Sequence, residues 1–136
     1  MVRIIMGLKG SGKTKQLIEL VGKACEEEQG NVVCIEKKSK LRYDIPHKVR
    51  LIDASQVGFN GYDFLKGYIS GLHSGNYDIT HIFIDSVLMI IGEQVDVRLD
   101  EFAQWCDDFS KRENVKFTIT VSADVAIASE TLKRYF

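Results

Sequence analysis

The sequence has little of several features that mark specialised protein classes. It contains 3 cysteines and 1 proline among 136 residues. Cys25, Cys34 and Cys106 are odd in number, far apart and set in apolar patterns, which favours buried thiols over disulfides or a zinc site. No stretch approaches the roughly 20 apolar residues of a membrane span, and the N-terminus does not follow the plan of a signal peptide. We therefore expect a cytoplasmic protein that does not contact a membrane.

The chain also lacks a large excess of charge of either sign. It has 18 lysines and arginines against 19 aspartates and glutamates, which leaves a net charge of -1. This balance does not indicate nucleic acid as a partner, although it leaves room for a local basic patch. A chain of 136 residues is long enough for one hydrophobic core and short for two. The sequence therefore predicts a single domain over residues 1–136.

The most specific motif lies near the start of the chain. Residues 7–14, Gly-Leu-Lys-Gly-Ser-Gly-Lys-Thr, fit the pattern G-x-x-x-x-G-K-[ST] of the phosphate-binding P-loop. Residues 3–6 are typical of a short buried strand, and apolar residues then repeat at helical spacing at Leu17, Ile18, Val21, Ala24 and Cys25. Strand, glycine-rich loop and helix are the context that the motif requires, so the sequence predicts a phosphate site here.

The residue types of this loop suit a nucleotide phosphate. Gly7, Gly10 and Gly12 permit backbone conformations that turn successive N–H groups inward, and the following helix adds the positive end of its dipole. Lys13 can reach the β- and γ-phosphates, and the Thr14 hydroxyl can ligate the Mg²⁺ that bridges them. The predicted nucleotide-binding set is Gly7, Lys9, Gly10, Ser11, Gly12, Lys13 and Thr14.

Beyond the loop, apolar strands alternate with helical patterns. Strands are predicted at residues 32–35, 49–52, 82–85 and 116–121. Helices are predicted from the loop to near Gly30, from an Asn60 cap to residues 74–76, and over residues 99–112. Such alternation predicts an α/β fold with a mainly parallel sheet and helices on both faces.

Three polar residues follow strands of this predicted sheet. Glu36, Asp85 and Ser122 each come at the carboxyl end of an apolar run. Ligands of such sheets lie beyond the carboxyl ends of the strands, so we expect these residues to meet the glycine-rich loop. Asp85 is the expected second magnesium ligand, directly or through a water.

The segment from His81 to Val87 resembles the magnesium strand of RecA-like P-loop ATPases, a group that includes recombinase and KaiC-type cores. The resemblance implies a P-loop NTPase fold of the RecA-like three-layer type, with ATP and Mg²⁺ as cofactors and ATP hydrolysis as the activity. It also implies that Glu36 is the general base for the attacking water and that Ser122 faces the γ-phosphate. Taken as residues alone, Glu36 has the alternative of a solvated strand-end carboxylate and Ser122 that of an ordinary strand-end hydroxyl.

Other nucleotide-binding classes fit less well. A GTPase would have D-x-x-G after the magnesium strand and N-K-x-D later, but Leu88 stands where that glycine belongs and residues 122–124 do not begin the guanine motif. Adenine is therefore favoured. A thymidine-kinase-like enzyme would show C-x-x-C and a carboxylate at position 86, and Ser86 stands there.

A third alternative is a nucleotide sensor that does not hydrolyse ATP. The polar segments 37–42 and 57–62 contain charges, glycines and aromatics at loop-like positions, and they could become ordered around bound phosphate. Trp105, Tyr135 and Phe136 are candidates for contact with a protein partner or a second copy of the chain. The sequence keeps the kinase and sensor alternatives open beside the hydrolase.

Overall fold

The computed structural model describes residues 1–136, apart from the side chain of Ser39. Its strands are β1 Val2–Gly7, β2 Asn31–Glu36, β3 Arg50–Asp53, β4 Ile79–Ile84 and β5 Lys116–Ser122. Its helices are α1 Lys13–Glu27, α2 Ala54–Val57, α3 Gly61–Gly75, α4 Val87–Ile91, α5 Val97–Glu113 and α6 Glu130–Lys133. Short 3₁₀ turns lie at Ser39–Leu41 and Val125–Ile127.

The five strands form one sheet in the order β1-β5-β4-β2-β3, and every neighbouring pair is parallel. The predicted mainly parallel α/β sheet is therefore confirmed. Strand β5 lies between β1 and β4, so it separates the strand before the glycine-rich loop from the strand before Asp85. Since all strands are parallel, their carboxyl ends lie along one edge of the sheet.

Helices lie against both faces of the sheet. Val33 and Ile35 of β2 belong to the larger core cluster, together with residues of α3 and α5. Val32 and Cys34 of the same strand belong to a second cluster with residues of α1. Because successive side chains of a strand point to opposite faces, the continuous apolar run of β2 reflects burial on both sides.

The predicted strands all overlap observed ones, whereas several helical details differ. Helix α1 ends at Glu27, before Gly30, and Asn60 occupies the N-cap of α3 without a capping hydrogen bond from its side chain. Segment 57–62, predicted as a connection, contains the last residue of α2 and the first residues of α3. Helix α4 was not predicted because its five residues are all apolar and therefore show no helical period.

The cysteines and the aromatic residues of the C-terminal half complete the core. Cys25, Cys34 and Cys106 are buried free thiols, as predicted.

Trp105 and Tyr135 are partly buried against the larger cluster, whereas Phe136 is exposed. The Tyr135 carbonyl also accepts a hydrogen bond from the N–H of Ile4, at 2.7 Å, on the outer edge of β1. Most of the aromatic surface proposed for partners is therefore used within the fold.

Candidate functional site

The glycine-rich loop, residues 7–14, connects the end of β1 to the start of α1. Gly10 and Gly12 have φ values of 87° and 85°, a left-handed conformation that other residues rarely adopt. A Cβ on Gly7 would lie 2.6 Å from the Ser11 hydroxyl, so the loop packs tightly over the strand end. Each of the three predicted glycines thus occupies a position that disfavours a side chain.

The Lys13 side chain folds back over this loop. It is 8% exposed, and its ammonium group donates to the Leu8 carbonyl at 2.9 Å and lies 3.5 Å from the Ser11 hydroxyl. These contacts place the Lys13 ammonium group at the N-terminus of α1, where the helix dipole favours an anion. Neighbouring Thr14 is exposed. Its hydroxyl is therefore available to a ligand.

Asp85 follows β4 and is held by the neighbouring strands. Its N–H donates to the Ile35 carbonyl of β2 at 2.8 Å, and its Oδ1 accepts from the Thr120 hydroxyl of β5 at 2.8 Å. The Thr120 oxygen in turn accepts from the N–H of Ser86 at 2.7 Å. The hydrogen bond from Thr120 fixes the direction of the carboxylate, and the bond to Ile35 holds the backbone that carries it.

Glu36 is a buried carboxylate, 3% exposed, at the end of β2. The alternative of a solvated strand-end carboxylate is therefore wrong. Its Oε1 accepts from the N–H of Leu41 at 3.0 Å, which ties it to the segment that follows. Burial is the main cause that raises the pKa of Glu36, and the nearby carboxylates of Asp85 and Asp53 add to it, while the Leu41 N–H opposes it.

Ser122 is the last residue of β5 and lies beside Gly7 in the parallel register of β1 and β5. The Gly7 carbonyl accepts from the N–H of Ala123 at 3.1 Å, so the end of β5 is bonded to the start of the glycine-rich loop. Ser122 is half-buried and reaches the cleft that the loop borders. The structure thus brings the third strand-end residue to the same edge.

These residues line one cleft of about 550 Å³. The predicted residues in its wall are Lys9, Gly10, Gly12, Lys13, Thr14, Glu36, Asp85 and Ser122. Gly7 and Ser11 belong to the loop without lining the cleft. The three strand ends that the sequence predicted to converge therefore do so.

The predicted site residues leave out part of the wall, although segment 37–42 was expected to be able to become ordered around bound phosphate. Lys15, Lys37, Lys38, Lys40, Leu41, Ser86 and Met89 also line the cleft. The signal for the lysines was present, because a polar run directly after a strand of a parallel sheet begins at its ligand-binding edge. Six lysines thus face two carboxylates, an excess of positive charge that suits a polyphosphate.

Thr120 was missed as well. It is fully buried, and it contacts Asp85 although it lies 35 residues away along the chain. The period-two pattern of Thr118, Thr120 and Ser122 along β5 is the signal that could have found it, since these residues share one face of the strand.

The residues that could hold Mg²⁺ are Thr14 and Asp85. Among the described side chains, no cluster of three or more histidine, cysteine, aspartate or glutamate residues could hold a metal ion. Magnesium beside phosphates, however, uses one or two protein ligands and several waters. A hydroxyl and an oriented carboxylate in the same cleft are oxygen donors of this kind, so the donor set fits the ion.

Comparison with known proteins adds no family to this geometry. No protein-family model matches the chain, and no curated protein matches it. The longest helix, α5, has 17 residues, and none of the helices described is long and apolar enough for a membrane span.

Proposed function

We propose that the protein binds ATP with Mg²⁺ and hydrolyses it, using a RecA-like P-loop core. The observation that carries the proposal is the placement of Lys13, held over a loop with left-handed Gly10 and Gly12, in the same cleft as the oriented carboxylate of Asp85. A phosphate cradle and a magnesium ligand in one cleft are the two parts that nucleoside triphosphate chemistry needs.

Each residue of the cleft has a role in this proposal. Backbone N–H groups of the loop bind phosphate oxygens, and Lys13 leaves the Leu8 carbonyl to contact the β- and γ-phosphates. Thr14 and Asp85 hold Mg²⁺, which neutralises part of the phosphate charge when bound. Ser122 faces the γ-phosphate. These interactions stabilise the charge that develops during the reaction.

Glu36 is the proposed general base. A carboxylate with a raised pKa accepts a proton more readily than an exposed one, and burial supplies this effect here. Glu36 takes a proton from water as the water oxygen forms a bond to the γ-phosphorus. The bond from that phosphorus to the β–γ bridging oxygen breaks, which gives ADP and inorganic phosphate.

A nucleotide sensor is the second candidate, and one contact favours it. The hydrogen bond from the Leu41 N–H to Glu36 joins the cleft to the segment that begins at Lys37. A change at Glu36 on nucleotide binding could therefore move that segment without turnover. By contrast, the three buried cysteines offer no support for the zinc-binding lobe of a thymidine-kinase-like enzyme.

One set of measurements tests the proposal. Calorimetry compares MgATP with MgGTP, and phosphate release is followed alone, with nucleosides, and with single- and double-stranded nucleic acid. ATP binding with phosphate release is the expected result. Binding without release under every condition supports the sensor, phosphorylation of a nucleoside supports the kinase, and no binding of either nucleotide overturns the site itself.

A further inference from the structure

The charge of this nearly neutral chain is unevenly distributed. Residues 37–50 contain 6 of the 18 lysines and arginines and 1 of the 19 aspartates and glutamates. The rest of the chain is left with 12 basic and 18 acidic residues. An acidic protein with one strongly basic segment presents a local positive surface that its net charge conceals. We call residues 37–50 the basic segment.

The basic segment is fixed to the core by its apolar residues. Leu41, Ile45 and Val49, spaced four residues apart, are buried in the cluster that contains α1. The Leu41 N–H donates to Glu36, and the Lys48 ammonium donates to the Cys25 carbonyl of α1 at 2.7 Å. The backbone of the segment is thereby held against the core.

Most of its cationic side chains are free to meet a partner. All six are exposed, and none of them makes a salt bridge with a carboxylate that the structure describes: Lys37, Lys38, Lys40, Arg42, Lys48 and Arg50. Of the 12 lysines and arginines outside the segment, six lie beside carboxylates: Lys23, Arg98, Lys111, Arg112, Lys116 and Lys133. Unneutralised positive charge in one ordered segment favours an anionic partner.

A groove of about 500 Å³ lies within the same segment, and its wall includes Arg42, Tyr43, Pro46 and His47. Tyr43 is 88% exposed, the highest value among the large exposed hydrophobic residues of the described chain. The Arg42 guanidinium lies over its ring, 5.8 Å from the centroid. An exposed aromatic ring beside a cationic groove is the arrangement on which nucleic-acid bases stack.

We propose that the basic segment binds single-stranded nucleic acid, with its arginines, which lie outside the nucleotide cleft, contacting phosphates and Tyr43 stacking on a base. Single strands are favoured over a duplex because their bases are free to stack. A membrane is disfavoured because the apolar residues of the segment, Leu41, Ile45 and Val49, are buried in the core and are not available for insertion. This inference goes beyond ATP hydrolysis and does not require it.

Fluorescence anisotropy of a labelled single strand of about 20 nucleotides, as DNA and as RNA, tests the proposal on the full chain. Tyr43→Ala should weaken binding at least about fivefold, because stacking on an aromatic residue contributes that much or more. Arg42→Gln should weaken binding and lower the salt dependence by about 0.7 in the slope of log K against log salt. Tyr77→Ala, which removes a second tyrosine with 75% exposure, and Lys23→Gln are the matched controls and should bind as the wild type does.

Several results would overturn the proposal. The first is that neither single strand binds at low salt. The second is that Tyr43→Ala and Tyr77→Ala lose the same amount of affinity for the single strand. The third is that a duplex binds as tightly as a single strand and that Tyr43→Ala does not weaken duplex binding. Binding of phosphatidylserine vesicles, or self-association that the Arg42→Gln variant abolishes, in the absence of single-strand binding also counts against it.

Calorimetry with MgATP on the same preparations distinguishes a failure of single-strand binding from a failure of ATP binding. If ATP binds and the single strand does not, the inference alone fails. If the single strand binds and ATP does not, the proposed nucleotide site fails and the basic segment keeps its assignment. Because Tyr43 and Arg42 are exposed, their variants should fold, and circular dichroism would confirm this.

Discussion

The hydroxyl of Thr120 donates to the carboxylate of Asp85 at 2.8 Å, from the strand that lies between β1 and β4. The same hydroxyl accepts from the Ser86 N–H, so its hydrogen is directed at Asp85. A group that orients a metal-binding carboxylate in this way commonly affects metal affinity without touching the metal. Thr120 is therefore a positioning residue for the proposed magnesium site.

Thr120→Val should weaken the affinity for Mg²⁺ in the presence of ATP by about tenfold. The valine side chain keeps the shape of threonine but cannot donate the hydrogen bond to Asp85. Calorimetry of ATP binding over a range of magnesium concentrations measures this loss of affinity. Thr120→Ser should restore the affinity. Thr118→Val is the matched control, since Thr118 lies on the same face of β5 and contacts His81, at 2.9 Å, instead of the cleft. An equal effect of both valine variants would contradict the positioning role.

Lys13→Ala should weaken MgATP binding about tenfold or more, because it removes a charge-assisted contact to the phosphates. Thr14→Ala should act mainly on the magnesium dependence, since it removes a metal ligand. Lys23→Ala, on the exposed face of the same helix, should bind as the wild type does. Unchanged affinity in a folded Lys13→Ala variant would refute the proposed nucleotide site.

Glu36→Gln should keep ATP affinity within a few-fold and lower single-turnover hydrolysis about a hundredfold or more, because it removes the proposed base. The glutamine oxygen can still accept from the Leu41 N–H, whereas Glu36→Ala loses that contact as well. Asp85→Asn should impair both metal-dependent binding and rate. Hydrolysis at the wild-type rate in the Glu36→Gln variant would place the base elsewhere.

Protein stability should fall below about pH 6.5 because of His81. Burial is the main cause that lowers the pKa of this side chain to about 4, and Lys116 adds to it, while Glu28 opposes it. Its ordinary value is 6.5, so the unfolded chain takes up a proton over a range in which the folded protein does not. The stabilisation present above pH 6.5 is therefore lost progressively down to about pH 4, by about 2 kcal/mol at pH 5.

Urea unfolding at pH 7 and pH 5 measures this loss. His81→Phe preserves the stacking on Phe83, where the ring centroids are 4.1 Å apart, and should show a smaller difference between the two pH values. It should also be less stable than the wild type at pH 7, because Thr118 and Glu28 lose a partner. His47→Phe, at an exposed position, should keep the wild-type difference. An unchanged difference in the His81→Phe variant would show that other groups cause it.

The sheet could be predicted because its strands are local apolar runs. Residues 32–35 and 82–84 are apolar without interruption, which is the pattern of strands covered on both faces. Their alternation with amphipathic helices then fixed parallel pairing and brought Glu36, Asp85 and Ser122 to one edge. Helix α4 was not predicted because all of its residues are apolar, which leaves it without a polar face. It also follows Ser86, a non-glycine residue with φ of 55°, where a helix start is not expected.

The contacts that shape the cleft depend on residues far apart in the chain. The burial of Glu36 is an example, because a glutamate followed by Lys37 and Lys38 has the local pattern of a solvated residue. Its environment is set by the 3₁₀ turn that places the Leu41 N–H over the carboxylate and by Asp85 at the end of the neighbouring strand. The Leu41 contact does not follow from spacing in the sequence, whereas the approach of Asp85 follows from the parallel order of the strands.

The hydrogen bond from the Ile4 N–H to the Tyr135 carbonyl covers part of an edge of the sheet. Strand β1 is at one edge of the sheet, and the exposed backbone of an edge strand is a template for pairing with another chain. The residues around Tyr135 block that template at Ile4. The same strand leads into the glycine-rich loop. The C-terminal residues thus occupy part of the sheet edge that ends at the candidate cleft.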